Sequence, residues 1–270
     1  MKIYKIKKLY LLLFLVMFVF FISELILSRD KLVFFSVGQG DSMLVSVHSK
    51  NFLIDGGPDW QVITALDRNL PFLNRKLEAI VLSHAHHDHF IGLAEVVRRY
   101  KVKKLYFYHH NFSDLAYSSF ILSLQDLEVD LINISDQSNL KIANNCEFNW
   151  LWPRRGFVSS DLNELSVVLK LKCRNLKVLF TGDISEAVEK LLITSNKDLL
   201  VDILKASHHG SKYSNSLVFL KKVQPQIIVF TAGKANKYGL PNPETISRAK
   251  KLNIKIKSTS GKKDLIFYIK

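Results

Sequence analysis

The chain has 270 residues, of which 48% are hydrophobic, and it carries a formal net charge of +14. This length and composition suit one generous α/β domain with an ample core, and they exclude a low-complexity chain. A single apolar run is long enough to cross a membrane, so these residues do not form a multi-helix channel by themselves.

An apolar N-terminal segment is the first predicted element. Residues 9–23 carry no charge and follow four lysines, Lys2, Lys5, Lys7 and Lys8. The run fits either the core of a signal peptide or a spanning helix of about 20 residues. Because basic residues stay on the cytoplasmic side, the chain after the segment is expected outside the cytoplasm. We therefore predict a signal or membrane-anchor segment at 1–28 and one extracytoplasmic domain, anchored or secreted, at 29–270.

The predicted domain is strongly basic. The first 28 residues hold four Lys and one Glu, so the remainder carries about +11. Such an excess attracts anions, and nucleic acid or an anionic surface is the usual partner. The lysines are scattered rather than gathered in one block, so a general bias toward lysine is the alternative explanation.

Strands and helices alternate in the pattern predicted from hydrophobic periodicity. The predicted strands cover residues 31–36, 43–48, 52–54, 79–82, 103–108, 127–133, 147–152, 166–171, 176–180, 202–206, 227–230, 254–257 and 265–269. The predicted helices cover roughly residues 60–70, 90–99, 113–124, 185–193, 214–222 and 243–251. Two runs of strands with polar residues at their ends favour two facing sheets with helices outside.

The segment Ser83–His89 is the candidate metal loop, with four histidines and one aspartate directly after an apolar strand. His84 and His86 project the same way from extended backbone, so both can reach one ion. Asp88 and His89 follow after the chain turns, so they can face a second ion beside the first. A solvated histidine-rich loop is the alternative, but loops seldom concentrate histidine in this way without a metal.

Two later motifs offer further ligands at strand ends. Asp183, in Thr181-Gly182-Asp183, is placed to bridge two ions, and either His208 or His209 can supply an imidazole to the second ion. Each motif alone is a weak or moderate signal, but the order of the three motifs makes a consistent set. We predict two divalent ions, Zn²⁺ or Mn²⁺, held by these residues together with those of the metal loop.

The pattern His-x-His-x-Asp-His after an apolar strand resembles the signature of the metallo-β-lactamase superfamily. The motifs resemble more specifically the metallo-β-lactamase domain of the ComEC family of competence DNA-uptake proteins, over about residues 31–269. The motifs that carry this resemblance are Val37-Gly38-Gln39-Gly40-Asp41-Ser42, Leu53-Ile54-Asp55-Gly56-Gly57, the metal loop, Thr181-Gly182-Asp183-Ile184, Leu204-Lys205-Ala206-Ser207-His208-His209-Gly210-Ser211 and Asn236-Lys237-Tyr238-Gly239-Leu240-Pro241. The resemblance implies an αββα sandwich of two facing mixed sheets with outer helices, and a DNA substrate.

The chemistry expected at this site is hydrolysis. Two ions lower the pKa of a bridging water toward neutrality and make hydroxide available. Asp88 is expected to orient the hydroxide and Asp183 to bridge the ions, while Lys205 suits a phosphate. The candidate substrate-binding residues are Asp41, Ser42, Asp55, Asn163, Ser211, Lys212, Asn236 and Tyr238. For the two lysines an ordinary surface position is the alternative, as an ordinary turn is for Asp55.

The sequence departs from the family pattern at two places. Leu240 stands where family members often have histidine, so this position lacks the substrate or proton-transfer contact that a histidine would supply. No histidine lies between His110 and His208, where many superfamily enzymes place the third imidazole of the first ion. Asn163 or water is expected to fill that gap, and such an oxygen-richer site accepts Mn²⁺ as readily as Zn²⁺.

Cys146 and Cys173 are the only cysteines, and both lie in strand-like stretches without metal-ligand spacing. An exported domain permits a disulfide between them, and two buried free thiols are the alternative.

The predicted function is therefore an extracytoplasmic metal-dependent phosphodiesterase, most simply a nuclease acting on DNA. One alternative is hydrolysis of a small ester, lactone or lactam at the same site, which the basic charge disfavours. Another is a catalytically weak DNA-binding module of the same fold, which the complete set of candidate ligands disfavours.

Overall fold

The computed structural model describes residues 2–72, 74–110, 113–136, 139–195, 198–261 and 263–270. The helices are α1 (Lys2–Leu27), α2 (Gln61–Asn69), α3 (His87–Arg99), α4 (Leu115–Asp126), α5 (Glu186–Thr194), α6 (Leu217–Val223) and α7 (Pro243–Lys251). The strands are β1 (Lys31–Phe34), β2 (Met43–Val47), β3 (Lys50–Ile54), β4 (Lys76–Leu77), β5 (Ala79–Val81), β6 (Lys101–Val102), β7 (Lys104–Phe107), β8 (Asp130–Asn133), β9 (Leu140–Ala143), β10 (Cys146–Trp152), β11 (Val168–Cys173), β12 (Leu176–Phe180), β13 (Ile203–Lys205), β14 (Ile227–Phe230), β15 (Lys255–Ser258) and β16 (Leu265–Tyr268).

Two seven-stranded mixed sheets form the architecture. The first has the order β16-β1-β2-β3-β5-β7-β8, and the second has the order β15-β14-β13-β12-β11-β10-β9. In each sheet a run of parallel strands adjoins antiparallel ones, with β3, β5, β7 and β8 parallel in the first and β12 to β15 parallel in the second. The predicted αββα sandwich is confirmed.

One layer of the core lies between the two sheets. It forms because successive side chains along each strand point to opposite faces of the sheet. Leu32 and Phe34 of β1 face the second sheet, where Phe34 lies 6.2 Å from Phe180 between ring centroids. Val33 and Phe35 point the other way and pack in the cluster that contains helices α2 and α3. A sheet covered on both faces needs strands that are apolar throughout, and this is why the strands read as continuous apolar runs.

Helix α3 ties the metal loop to the first sheet. The N–H of Gly56, after β3, donates to the carbonyl of His89 at 2.6 Å, and the N–H of Gly92 donates to Gly57 at 3.0 Å. A Cβ at Gly92 would lie 2.1 Å from the carbonyl oxygen of Gly56, so only glycine permits this approach. The close packing fixes the first turn of α3, which carries Asp88 and His89.

Three short strands escaped prediction, namely β4, β6 and β9. Two-residue strands such as β4 and β6 leave too little alternation to be recognised. Cys146 and Cys173 face one another in the register of β10 and β11 and form a disulfide, which settles the alternative left open by the sequence.

Helix α1 has the length and composition expected of the apolar segment. Residues Lys7–Leu27 have a mean hydropathy of 2.6 and are long and apolar enough to cross a membrane. The C-terminal end of α1 contacts the segment after α2, because the Glu24 carboxylate accepts a hydrogen bond from the N–H of Phe72 at 2.8 Å.

Candidate metal centre

The candidate ligands come from strand ends of both sheets and meet at one edge of the sandwich. The metal loop follows β5, Asp183 follows β12, and His208 and His209 follow β13. The backbone joins these segments, because Val167 donates to Ser83 at 2.8 Å and the N–H of His208 donates to Gly182 at 3.2 Å. Sequence positions 100 residues apart therefore contribute to one buried cluster of imidazoles and carboxylates.

The first group of ligand atoms lies around His84. Its Nε2 is 3.0 Å from Nδ1 of His86, so both imidazoles point at one place as the extended segment predicted. Ligand atoms of His84, His89 and Asp183 also lie within 4.8 Å of one another. One cation can therefore contact several of these atoms at once.

The second group lies around His209. Ligand atoms of Asp88, His89 and His209 lie within 4.8 Å of one another. Nε2 of His209 is 3.3 Å from Oδ2 of Asp88 and 3.3 Å from Oδ2 of Asp183. Nε2 of His89 is 3.4 Å from the same Asp183 oxygen. Oδ2 of Asp183 therefore lies close to imidazoles of both groups, as a bridging carboxylate requires, and His89 belongs to both groups as well.

Two buried nitrogens indicate that these groups suit metal ions. Nε2 of His89 and Nε2 of His209 are buried and make no hydrogen bond with the residues that the structure describes. An unpaired buried polar atom is costly, and a cation between these nitrogens and the carboxylates would satisfy both. The donor set of imidazole nitrogen and carboxylate oxygen fits Zn²⁺ or Mn²⁺.

The electrostatics of the cluster favour positive charge between its carboxylates. Burial alone would lower the pKa of His89, but Asp183, Asp55 and Asp88 outweigh burial and raise this pKa well above its ordinary value. Burial and the neighbouring His89 hold the pKa of His84 well below its ordinary value, so His84 stays neutral with a lone pair available. Although burial opposes it, the nearby His89 and His209 lower the pKa of Asp88 to about 2.

The remaining ring nitrogens are held by neighbours. Asp55 accepts hydrogen bonds from the N–H and Oγ of Ser83, both at 2.7 Å, and lies 2.9 Å from Nδ1 of His89. Nδ1 of His209 is 2.7 Å from the carbonyl of Thr231. Each contact directs Nε2 of its histidine into the cluster. Asp55, predicted to bind substrate, is fully buried and holds His89 in this orientation.

The phosphate contact of Lys205 stays a prediction, and the structure gives this lysine buried partners. Its side chain is fully buried, and Nζ pairs with Asp41, bonds the carbonyl of Gly182 at 2.9 Å and lies 3.4 Å from Oδ1 of Asp183. Burial would lower the pKa of Lys205, but Asp41 and Asp183 outweigh burial and raise it. The side chain at this position of β13 points into the protein. An interpretation that places the lysines of a basic chain at its surface does not predict this orientation.

The loop after β13 places both of its histidines near Asp183. His208 and His209 adopt left-handed conformations with φ of 49° and 52°, which are unfavourable for residues with a Cβ. His209 is buried within the second group, whereas His208 is 37% exposed in its side chain and its Nε2 lies 3.9 Å from Oδ2 of Asp183. His209 therefore meets the geometry expected of the ligand for a second ion.

Two residues that the sequence did not single out hold this loop. Asn215 accepts from the N–H of Ser207 at 2.9 Å and donates to its carbonyl at 2.8 Å. The Glu189 carboxylate accepts from the N–H groups of Asn215 and Ser216. Burial raises the pKa of Glu189 to about 7. The sequence does show a glutamate on the inner face of a helix. Its spacing gives no indication that it holds the loop with the two histidines.

The other predicted substrate-binding residues divide into buried and surface positions. Asp41 and Ser42 are fully buried, and Ser42 donates to the carbonyl of Asp55 at 3.1 Å. The Asn236 amide is used within its own loop, where it donates to Gly233 and Leu240. The structure places Asn163 beside the loop that contacts Ser83, Ser211 directly after the histidine loop, and Lys212 and Tyr238 at the surface.

Comparison with known sequences supports the interpretation of this cluster as a metal site. Residues 36–123 match the family model of the metallo-beta-lactamase superfamily. The chain is 28% identical over 263 residues to ComE operon protein 3 of Bacillus subtilis, covering 90% of this chain and 34% of that protein. It is 26% identical over 230 residues to Recombination protein 2 of Haemophilus influenzae, covering 83% of this chain and 27% of that protein. The chain thus spans about a third of the length of these curated relatives.

Comparison with solved structures agrees with the fold. Igni18, a metallo hydrolase from the archaeon Ignicoccus hospitalis, superposes with a TM-score of 0.58 at 16% identity, covering 89% of this chain and 100% of that chain. The predicted resemblance to the metallo-β-lactamase superfamily is confirmed, with distant similarity to competence proteins. Within the described residues the chain carries a buried cluster of histidine and aspartate side chains that could hold metal ions, as a metal-dependent hydrolase requires.

Proposed function

We propose that the chain is an extracytoplasmic metal-dependent phosphodiesterase that cleaves DNA. The observation that carries the proposal is the single carboxylate of Asp183 shared by two groups of imidazoles. Two divalent ions held in such a pair of sites supply a nucleophile at neutral pH and stabilise charge on phosphoryl oxygens. In the proposal, His84 and His86 would hold one ion, Asp88, His89 and His209 would hold the other, and Asp183 would be available to both.

Side chains at the edge of the metal centre could orient the attacking water and contact the phosphate. The Asp88 side chain is 34% exposed, so its carboxylate reaches both the buried cluster and the solvent above it. This position suits Asp88 for holding the attacking water in line, because its lowered pKa keeps the carboxylate ionised as a hydrogen-bond acceptor. His208 is 37% exposed and its Nε2 lies 3.9 Å from Oδ2 of Asp183, so it can contact a phosphate or its leaving group.

The net charge and the curated relatives support DNA as the substrate. The basic excess of the chain attracts a polyanion. One similar protein, from Haemophilus influenzae, is named Recombination protein 2, and another, from Neisseria gonorrhoeae, is named Competence protein ComA. A small neutral ester or lactam would gain nothing from this charge.

Activity of the full chain, purified in detergent, tests the proposal. We expect close to two Zn²⁺ or Mn²⁺ ions per chain, and hydrolysis of both DNA and the small diester bis(p-nitrophenyl) phosphate. A chelator should abolish both activities and lower the thermal midpoint, because ions bound only by the folded state stabilise it. Protein that binds no metal, or that hydrolyses a lactam but neither diester, would contradict the proposal.

We place residues 29–270 outside the cytoplasm, behind a membrane anchor or signal at 1–28. Helix α1 and the lysines before it support this orientation. The disulfide between Cys146 and Cys173 also suits an oxidising compartment.

Fusion of alkaline phosphatase after Lys270 measures that orientation, since this enzyme folds only in an oxidising compartment. We expect an active fusion, and we expect a fluorescent reporter that requires the cytoplasm to stay dark at the same position. The reverse pattern would refute the orientation.

A further inference from the structure

Two exposed tyrosines lie on loops that adjoin the candidate metal centre, each with a lysine against its ring. The Tyr213 side chain is 67% exposed and the Tyr238 side chain 62% exposed. Nζ of Lys212 lies 4.9 Å from the ring centroid of Tyr213, and Nζ of Lys237 lies 5.1 Å from that of Tyr238. Both distances fall within the range of a cation–π interaction. The chain thus repeats one arrangement, an ammonium on an exposed aromatic ring, on two separate loops.

Contacts of the Tyr213 loop place it at the metal centre. The loop begins directly after Gly210, which follows the two histidines of the centre. The carbonyl of Tyr213 accepts from the N–H of Glu186 at 2.9 Å, and Ser214 donates to the carbonyl of Ile184 at 2.8 Å. Tyr213 therefore lies against the segment that carries Asp183.

Contacts of the Tyr238 loop place it on the same rim. The N–H of Asn242 donates to the carbonyl of Gly210 at 2.9 Å, and the N–H of Gly233 lies 3.2 Å from Oε1 of Gln39. Helix α7 joins this loop to the other one, because Thr245 donates to the carbonyl of Ser211 at 2.9 Å. The two lysine–tyrosine pairs are therefore held on adjoining loops around Gly210.

We infer that Tyr213 and Tyr238 form a stacking platform for unpaired bases, with Lys212 and Lys237 contacting the phosphates of the same strand. Exposed aromatic rings with adjacent cations bind single-stranded nucleic acid, because each base offers a flat face and each nucleotide one charge. Bases inside a duplex are stacked on one another and offer only their edges. This inference rests on the proposed function for the identity of the polymer, and it assigns single-stranded DNA as the form that reaches the ions.

Binding of fluorescent oligonucleotides to the metal-loaded full chain tests the platform. The probes are a phosphorothioate-linked oligo-dT, which resists hydrolysis, and a duplex of the same length, at one salt concentration. We expect Tyr213→Ala and Tyr238→Ala each to weaken oligo-dT binding about tenfold, the usual effect of losing one stacked base. Duplex binding should change less than twofold. Tyr213→Phe and Tyr238→Phe should bind oligo-dT like the wild type, because they keep the ring.

Tyr268 provides the matched control. It is an exposed tyrosine with a cation nearby, since Cζ of Arg29 lies 6.0 Å from its ring centroid. Tyr268 pairs with Lys31, the first residue of β1. The loop that carries Asp41 follows the opposite end of β1, so Tyr268 lies away from that loop. Tyr268→Ala should therefore leave oligo-dT binding unchanged. Metal content and thermal midpoint show whether each alanine variant has folded.

Two outcomes would overturn the inference. Unchanged oligo-dT binding in folded Tyr213→Ala/Tyr238→Ala protein would show that the rings bind no base. Equal loss of single-strand and duplex binding would show that the rings contact a paired helix. Failure of the proposed function is a separate result: wild-type protein that binds oligo-dT through the tyrosines but hydrolyses no diester keeps the platform and loses the phosphodiesterase.

Discussion

Asp183→Asn should lower phosphodiesterase turnover by at least two orders of magnitude while DNA affinity changes little. One Asp183 oxygen lies 3.4 Å from Nε2 of His89 and 3.3 Å from Nε2 of His209. The amide keeps the size of the side chain but removes the charge that offsets two cations, so at least one ion should bind poorly. Disturbing the surroundings of a catalytic metal commonly costs this much activity. DNA affinity should change little, because Asp183 is buried and most of the basic excess that attracts DNA lies on other residues.

Metal content, turnover and DNA binding of the variant, measured at one salt concentration, check this expectation. Asp202→Asn is the matched control, because Asp202 precedes β13 and caps the N–H of Lys177 away from the cluster. Wild-type turnover and two bound ions in Asp183→Asn would show that Asp183 is not shared between the ions. The dinuclear arrangement proposed here would then be wrong.

The order of elements and the convergence of three motifs were predictable from the sequence. Each motif follows an apolar strand, and polar residues at the ends of neighbouring strands meet at one sheet edge. Asp183 and His84 therefore met as expected, although 99 positions separate them. Helix α7 was predicted at its observed bounds, because Asn242 caps its N-terminus and Pro243 occupies its first turn.

The inward or outward direction of individual polar residues was not predictable in the same way. Lys205, Asp41 and Asp55 look like surface residues of a basic, turn-rich chain, yet all three are fully buried. Their burial depends on partners from distant segments, since Asp41 precedes Lys205 by 164 positions. A sequence pattern reports the spacing of charges along the chain but not which opposite charge will face them across two sheets. The network beneath the metal centre therefore became visible only in the structure.

That network makes Lys205→Met the variant with the second large expected effect, and the effect should be on stability. Methionine has a similar length but no charge, so Asp41 and Asp183 would be left facing one another in a buried site. Removing one partner of a buried ion pair costs about 3–5 kcal/mol of the free energy of unfolding. For a domain of this size we expect the thermal midpoint of the chelated protein to fall by about 10 °C.

Two comparisons separate this role from the phosphate contact predicted for Lys205 from the sequence. Asp41→Asn/Lys205→Met removes both charges and should be more stable than Lys205→Met alone, because no unpaired carboxylate of Asp41 remains. Lys212→Met, at an exposed lysine, should leave the midpoint unchanged and weaken DNA binding slightly. If Lys205→Met instead keeps the wild-type midpoint and loses DNA affinity with a flatter salt dependence, Lys205 reaches the substrate. The ion pairs of Lys205 with Asp41 and Asp183 would then not explain its position in the fold.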